Sequence, residues 1–143
     1  MRTVKTRTPS FPLVDSDEPI TPARDPVWQV LCGDAGRYRV GLYSPMATGP
    51  DDISELEQHD CPEFFWLVEG RLTLLLAKNR KLIELELEPN KPVLVSAPHA
   101  GFCPDGPQTG RALVVERDSV DTRYAAPDDF TTGQTLEFEP VDG

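Results

Sequence analysis

Prolines and glycines interrupt this chain so often that it can form only short segments of regular structure. There are 15 prolines and 10 glycines among 143 residues. Proline removes a backbone donor and breaks helices, and glycine favours turns. The sequence therefore argues against a helical bundle. Its length suits a single domain.

The segments between these breakers have the pattern of β-strands. Ile83, Leu85 and Leu87 alternate with glutamates, as expected for a strand with one buried face. Further strands are predicted at 37–44, 64–68, 71–77, 93–96 and 111–116, with a loop over 97–110 and a weak helical pattern over 51–58. We expect the bulky segment 64–68 to be buried. Short strands at spacings of about ten residues indicate an antiparallel sandwich or barrel.

The two ends of the chain differ from its middle. Residues 1–26 are polar and carry five prolines, which predicts an extended arm that pairs with another element or another subunit. From residue 120 onward the chain is acidic and poor in apolar residues, so we expect a loose tail with a short edge strand at 136–139. The expected division is an arm at 1–26, a β-domain at 27–119 and an acidic tail at 120–143.

Charge and cysteine content narrow the classes of partner. The chain has 24 acidic and 14 basic side chains and a formal net charge of −10, which disfavours nucleic acid and anionic membrane surfaces. No apolar run is long enough to span a bilayer, and no apolar stretch follows the basic N-terminus as in a secretory signal. Three cysteines without a Cys-x-x-Cys pair suggest reduced thiols. We therefore expect a cytoplasmic protein.

Only two histidines are present, and they lie near Pro62 and Pro98 respectively. Glu57 and His59 would share one face of a strand, and a corner at Pro62 can bring Glu63 beside the imidazole. His99 is the other imidazole. Imidazole and carboxylate together suit a divalent first-row metal ion.

A simpler interpretation stays open for each of these residues. His59 would then be an ordinary half-buried histidine, and Glu63 a solvated strand end. Glu57 would belong to an acidic loop with its neighbours Asp51, Asp52 and Glu55. Other chemistries have less support, because the sequence holds neither a Gly-x-Ser-x-Gly elbow nor a phosphate-binding glycine-rich loop.

Residues 57–70, Glu-Gln-His-Asp-Cys-Pro-Glu-Phe-Phe-Trp-Leu-Val-Glu-Gly, resemble the first motif of the cupin family. In that motif two histidines one residue apart are followed by a glutamate and, after six more residues, by a glycine. His59, Glu63 and Gly70 fit this spacing, and Glu57 stands where the first histidine would be. Gly70 also falls where a hairpin needs a positive φ.

The second cupin motif is present in a degraded form. The family pattern has a glycine, a strand ending in proline, a further glycine, and then a histidine and an asparagine. Here His99 directly follows Pro98, Gly101 comes after the histidine, and Cys103 stands where the asparagine would be. His99 is the only candidate for the third imidazole. The resemblance covers residues 37–117.

The resemblance implies an all-β fold of the cupin type, a double-stranded β-helix or jelly-roll barrel, commonly found as a homodimer. It implies a metal site of His59, Glu63, His99 and Glu57 that would hold Fe, Mn, Ni or Zn. The implied function is dioxygenase, isomerase or lyase chemistry on a small molecule. The alternative is a metal-free barrel that binds or senses a ligand without catalysis, because the second motif is broken. The sequence identifies no catalytic residue beyond the metal ligands.

Overall fold

The computed structural model describes residues 1–132, which form two antiparallel sheets that face each other. The strands are β1 (Arg2–Thr6), β2 (Trp28–Asp34), β3 (Tyr38–Tyr43), β4 (Leu56–His59), β5 (Glu63–Glu69), β6 (Thr73–Lys78), β7 (Lys81–Glu86), β8 (Val93–Val95), β9 (His99–Phe102), β10 (Arg111–Arg117) and β11 (Val120–Ala125). A 3-10 turn (Pro50–Asp52) and one helix, α1 (Pro127–Thr131), complete this part of the chain.

The strand order shows a jelly roll. One sheet has the order β1-β11-β4-β9-β6-β7 and the other has the order β2-β3-β10-β5-β8. Consecutive strands often lie in opposite sheets: the chain crosses between them from β4 to β5 and again from β9 to β10. The predicted all-β jelly roll is confirmed, although the two sheets do not close into one continuous barrel.

Most of the predicted strands are present, but two local predictions are wrong. The helical pattern over 51–58 contains a 3-10 turn and then β4, because β4 pairs with β11 on one side and β9 on the other. The segment 97–110, predicted to be a loop, contains β9. Within β9, a Cβ on Gly101 would lie 2.7 Å from the Tyr43 ring, so only glycine fits there without a shift.

The alternation of side chains between the two faces of a strand also corrects the predicted burial of residues 64–68 and of Ile83. In β5, Phe65 is buried, whereas Trp66 is 40% exposed, because successive side chains point to opposite faces of the sheet. In β7, Ile83 is 41% exposed although Leu87, just after the strand, is buried. β7 is the outer strand of its sheet.

The space between the sheets has two different ends. At one end lies a hydrocarbon core, which we call the apolar end: Phe65, Leu67, Leu72, Leu74, Leu76, Leu87, Val95, Cys103, Ala112 and Val114. At the other end, to which β5 and β10 also contribute, are charged and polar side chains, which we call the polar end: Arg39, Glu57, His59, Glu63, His99, Glu116 and Thr122. Phe65 pairs with Val114 at the boundary between the two.

The ends of the chain are more ordered than predicted. The arm does pair with another element, since β1 pairs with β11 in register. Residues 120–125, expected to belong to a loose tail, instead form β11 between β1 and β4. This strand can carry charge because Arg7 pairs with the buried Asp121 at 2.9 Å. The predicted edge strand at 136–139 lies outside the described residues.

One buried carboxylate anchors the arm to the sandwich. Asp118 accepts hydrogen bonds from the Ser10 amide at 2.7 Å and the Gly36 amide at 2.8 Å, and it contacts the Thr8 hydroxyl. These contacts hold the pKa of Asp118 below its usual range, although burial opposes them.

Within residues 1–132 no helix has the length and apolar character that a membrane crossing requires.

Candidate metal centre

A corner at Pro62 brings the first two predicted ligands together. His59 ends β4 in one sheet, and Glu63 begins β5 in the other. The chain crosses the gap between the sheets in the three residues that separate them. His59 Nε2 and Glu63 Oε1 are in direct contact, and both side chains are buried.

Glu57 and His99 complete a cluster of four. Glu57 lies two residues before His59 and pairs directly with His99 across β4 and β9. His99 Nε2 is 3.4 Å from Glu57 Oε1 and 2.9 Å from Glu63 Oε1, and His59 Nε2 is 3.5 Å from Glu57 Oε1. One donor atom from each of the four side chains lies within 4.8 Å of all the others. The structure therefore brings all four residues of the predicted metal site together.

The other ring nitrogens are fixed from outside the cluster. His99 Nδ1 donates to the Ala97 carbonyl at 2.9 Å, and His59 Nδ1 is 2.7 Å from Thr122 Oγ1. With Nδ1 as the donor, the neutral form of His99 presents its lone pair at Nε2. Partners of this kind orient metal-binding histidines.

Three atoms of the cluster have no hydrogen bond of good geometry among the described residues, although they are buried. They are the Nε2 atoms of His59 and His99 and Oε1 of Glu63. Buried polar atoms are normally satisfied, because leaving them unpaired is costly. These atoms lie within ion-pair distance of one another, and such a convergence of donor atoms fits a common ligand between them. Two imidazoles and two carboxylates are donors that a divalent first-row metal accepts.

The electrostatics of the cluster are balanced. Burial alone would lower the pKa of each histidine, but the two carboxylates outweigh it and raise the pKa of His59 to about 9 and that of His99 to about 10. Burial would raise the pKa values of Glu57 and Glu63, but the imidazoles reverse this and hold both below the usual range. Two protons thus neutralise the metal-free cluster, and one divalent cation has the same charge.

A cavity of about 250 Å³ adjoins the cluster, and we call it the aromatic cavity. Trp28, Tyr43 and Phe65 form part of its wall, and Val4 of β1 also contributes. Because this space lies between the sheets beside the cluster, a small molecule within it would be next to the four donor atoms.

Two charged residues of this cavity were not identified from the sequence. Arg39 and Glu116 face each other on β3 and β10, and Glu116 Oε1 accepts from both Nε (2.8 Å) and Nη2 (2.6 Å) of Arg39. Oε2 of Glu116 lies 4.0 Å from His59 Nε2. Burial and the Glu63 charge raise the pKa of Glu116 to about 7. Every second side chain of a strand points to the same face. The series Ala112, Val114 and Glu116 along β10 therefore indicated that the Glu116 carboxyl faces inward.

Comparison with known proteins shows the fold. No protein-family model matches the chain, and no curated protein matches it. A cupin-2 domain protein from Shewanella frigidimarina has 14% identity and a TM-score of 0.47 over 63% of this chain and 78% of its own. The hydroxypropylphosphonic acid epoxidase of S. wedmorenis with fosfomycin has 19% identity and a TM-score of 0.50 over 76% of this chain and 57% of its own. The iron(II) form of this epoxidase, HppE, with substrate has 18% identity and a TM-score of 0.54 over 79% of this chain and 64% of its own.

The likeness to the epoxidase establishes the architecture and nothing finer, because the sequences have diverged so far. The chain shares its jelly-roll fold with the epoxidase. It spans between 57% and 64% of the length of these two epoxidase chains. What the cluster does must therefore be argued from its own residues.

Proposed function

We propose that this cupin-fold chain holds one divalent first-row metal ion through Glu57, His59, Glu63 and His99, and acts on a small molecule in the aromatic cavity. One observation carries the proposal. The two Nε2 atoms and Glu63 Oε1 are buried, meet at one point and have no hydrogen bond of good geometry within residues 1–132. HppE, which shares the fold, is described in iron(II) and cobalt(II) forms with substrate.

An ion bound here would supply Lewis-acid polarisation or a place for dioxygen to bind. The chain's own residues supply the rest. Ala97 and Thr122 orient the imidazoles, and the aromatic wall excludes water and contacts the apolar part of a substrate. Arg39 holds Glu116 by one oxygen, which leaves Oε2 free to hold or accept a proton beside the cluster. This arrangement suits dioxygenase, isomerase or lyase chemistry.

A second candidate function is a binding or sensing barrel that uses no metal. The charge balance of the cluster favours it, because two protonated imidazoles and two carboxylates neutralise each other without an ion. Glu57, in the place of an imidazole, adds the second carboxylate. The aromatic cavity would then bind its ligand without chemistry.

Metal content decides between the two functions. Wild-type protein is reconstituted with Mn, Fe, Ni or Zn, desalted and analysed for bound metal, beside a His59→Ala/His99→Ala variant. A Glu84→Gln/Glu86→Gln variant is the control, since it removes two exposed carboxylates from β7, outside the cluster. We expect one ion per chain in wild type and control, and none in the histidine variant. The absence of bound metal in wild type under all four conditions would favour the binding barrel.

Two further predictions from the sequence accompany the proposal. A homodimer would give twice the chain mass of 15.9 kDa in sedimentation equilibrium. If the protein is cytoplasmic, fractionation of the source cells should recover it in the cytoplasmic fraction. Both stay predictions.

A further inference from the structure

The cluster of Glu57, His59, Glu63 and His99 lies between two cavities. Beside the aromatic cavity there is a second space of about 290 Å³, which we call the acidic cavity. Glu57, Tyr43 and Tyr124 line both spaces and so form the partition between them. An ion can reach the cluster from either side, and among residues 1–132 only the second space has exposed carboxylates, Asp52 and Glu55, in its lining.

The acidic cavity has carboxylates at its mouth. Asp52 and Glu55 line it and are exposed, and none of its lining residues is a lysine or an arginine. Asp52 is fixed by hydrogen bonds from the Thr48 amide and hydroxyl, both 3.0 Å. Arg2 neutralises part of this charge through an exposed pair with Glu55 at 3.2 Å. Within the described part of the chain, the aromatic cavity has no exposed carboxylate pair of this kind at its mouth, and the buried Glu116 in its wall is already paired with Arg39.

A buried, unsatisfied imidazole lies at the inner end of the acidic cavity. His99 is only 2% exposed, lines this cavity, and its Nε2 has no hydrogen bond of good geometry within residues 1–132. Glu57 stands between this nitrogen and the mouth, with its side chain 33% exposed. Carboxylate oxygens thus lead from solvent to this buried ring nitrogen of the cluster.

We propose that the acidic cavity is the route by which the divalent ion reaches the cluster, and that Asp52 and Glu55 recruit it. This inference rests on the proposed function. Clefts lined by one sign of charge concentrate counter-ions and raise their association rates. The aromatic cavity is then left for the organic ligand, so ion and ligand approach the cluster from opposite sides of Glu57.

The route can be tested by placing a bulky, uncharged side chain, which we call a plug, in each cavity. Such a substitution leaves the net charge of the protein unchanged. Ser54 lines only the acidic cavity and Val27 only the aromatic one. Metal-free Ser54→Phe and Val27→Phe proteins are mixed with Co²⁺ in a stopped-flow instrument, and release is followed after addition of EDTA. An obstruction on the route slows entry and exit alike, so Ser54→Phe should slow both about tenfold and leave Kd unchanged. Val27→Phe should change neither rate.

The opposite result would overturn the inference. If Val27→Phe slows both rates and Ser54→Phe does not, the ion travels through the aromatic cavity. If neither plug slows association, the acidic cavity is not an obligatory route. Wild-type protein that takes up no Co²⁺ at all would contradict the proposed function instead, so the two failures are distinguishable.

A charge-matched pair of variants tests recruitment. Asp52→Asn/Glu55→Gln removes the two mouth carboxylates, and Glu84→Gln/Glu86→Gln removes two exposed carboxylates elsewhere. The match is close because Glu86, like Glu55, pairs with an arginine, Arg71. We expect association with Co²⁺ to slow about fivefold in the first variant at low salt and less than twofold in the second. The dissociation rate should stay unchanged. Equal slowing in both variants would show a general effect of net charge and contradict recruitment.

Discussion

The apolar and polar ends of the sandwich share strands β5 and β10, yet the side chains that these strands contribute to each end differ. Along β5 the inward side chains run from Leu67 to Phe65 and then to Glu63. Along β10 they run from Ala112 to Val114 and then to Glu116. The apolar end gains free energy by removing hydrocarbon from water. The polar end buries charge, which by itself adds little stability and often costs some.

The different side chains of the two ends indicate that each end has a different role. An all-hydrocarbon interior would make a more stable sandwich, and hydrophobic replacements of buried ion pairs are often neutral or stabilising. Four ionisable side chains placed within 4.8 Å of one another add little to folding, and under the proposed function they hold a metal ion. The following predictions test this separation, beginning with the largest expected effect.

The pH dependence of metal affinity should be steep. Below pH 9 both imidazoles of the metal-free cluster hold a proton, because the pKa of His59 is about 9 and that of His99 about 10. A metal ion must displace both protons, so affinity should rise with pH by about 100-fold per unit through pH 6–8. Without the carboxylates the rise would stop near 6.5, the ordinary histidine value.

Calorimetry in two buffers of different ionisation enthalpy measures the protons directly. About two protons should leave per ion at pH 7. An affinity that is flat between about pH 7.5 and 5.5 would count against histidine ligation altogether.

Truncation in the apolar end should cost stability and nothing else. Leu74 is fully buried in the hydrocarbon core on β6. Leu74→Ala should lower the free energy of unfolding by about 2–5 kcal/mol, through lost transfer energy and a residual cavity. Urea unfolding of the metal-free protein measures the cost, and metal analysis checks that stoichiometry is unchanged. Loss of metal binding in a folded Leu74→Ala protein would show that the two ends are not separable.

Metal should stabilise the protein only through the polar end. At a free concentration 100 times its Kd, an ion that binds only the folded state adds about 2.7 kcal/mol. Wild type and Leu74→Ala should gain equally, since the ligand set is intact in both. The His59→Ala/His99→Ala protein should gain nothing in the same urea titrations. A comparable gain in that variant would place the ion elsewhere.

The two ends were predictable from sequence to different degrees. His59, Glu63 and Gly70 lie in one continuous segment, in which Pro62 predicted the corner and Gly70 the hairpin. Gly70 has a φ of +63°. His99 reaches the cluster by pairing with Glu57 across strands, which local spacing does not contain. It was predicted because no other imidazole remained.

The residues that were missed depend on tertiary pairing. Arg39 and Glu116 come from strands far apart in sequence, and each alone looks like an ordinary strand charge. The segment 120–125 looked like a polar tail because its charges are read as solvated until their partners are known. Arg7, from the N-terminal arm, neutralises Asp121 there. Burial of charge is set by such distant partners, and one sequence does not show them.

The smallest predicted effect concerns the arm that joins the polar end to the rest of the chain. Val4 and Thr6 of β1 line the aromatic cavity, and the contacts of Asp118 with Thr8 and Ser10 hold the chain just after β1. In Asp118→Asn, an amide NH₂ replaces one acceptor oxygen and meets a donor. We expect a loss on the order of 1 kcal/mol, confined to the arm.

Amide hydrogen exchange separates this local effect from a global one. Exchange in β1 should quicken about fivefold in Asp118→Asn, the factor that corresponds to about 1 kcal/mol. Exchange in β6, at the apolar end, should stay as in wild type. Asp105→Asn is the control, because Asp105 is an exposed carboxylate paired with Arg71 and does not touch the arm. Equal acceleration in β1 and β6 would mean that the arm unfolds only with the whole sandwich, and that the wall of the aromatic cavity is as stable as the hydrocarbon core.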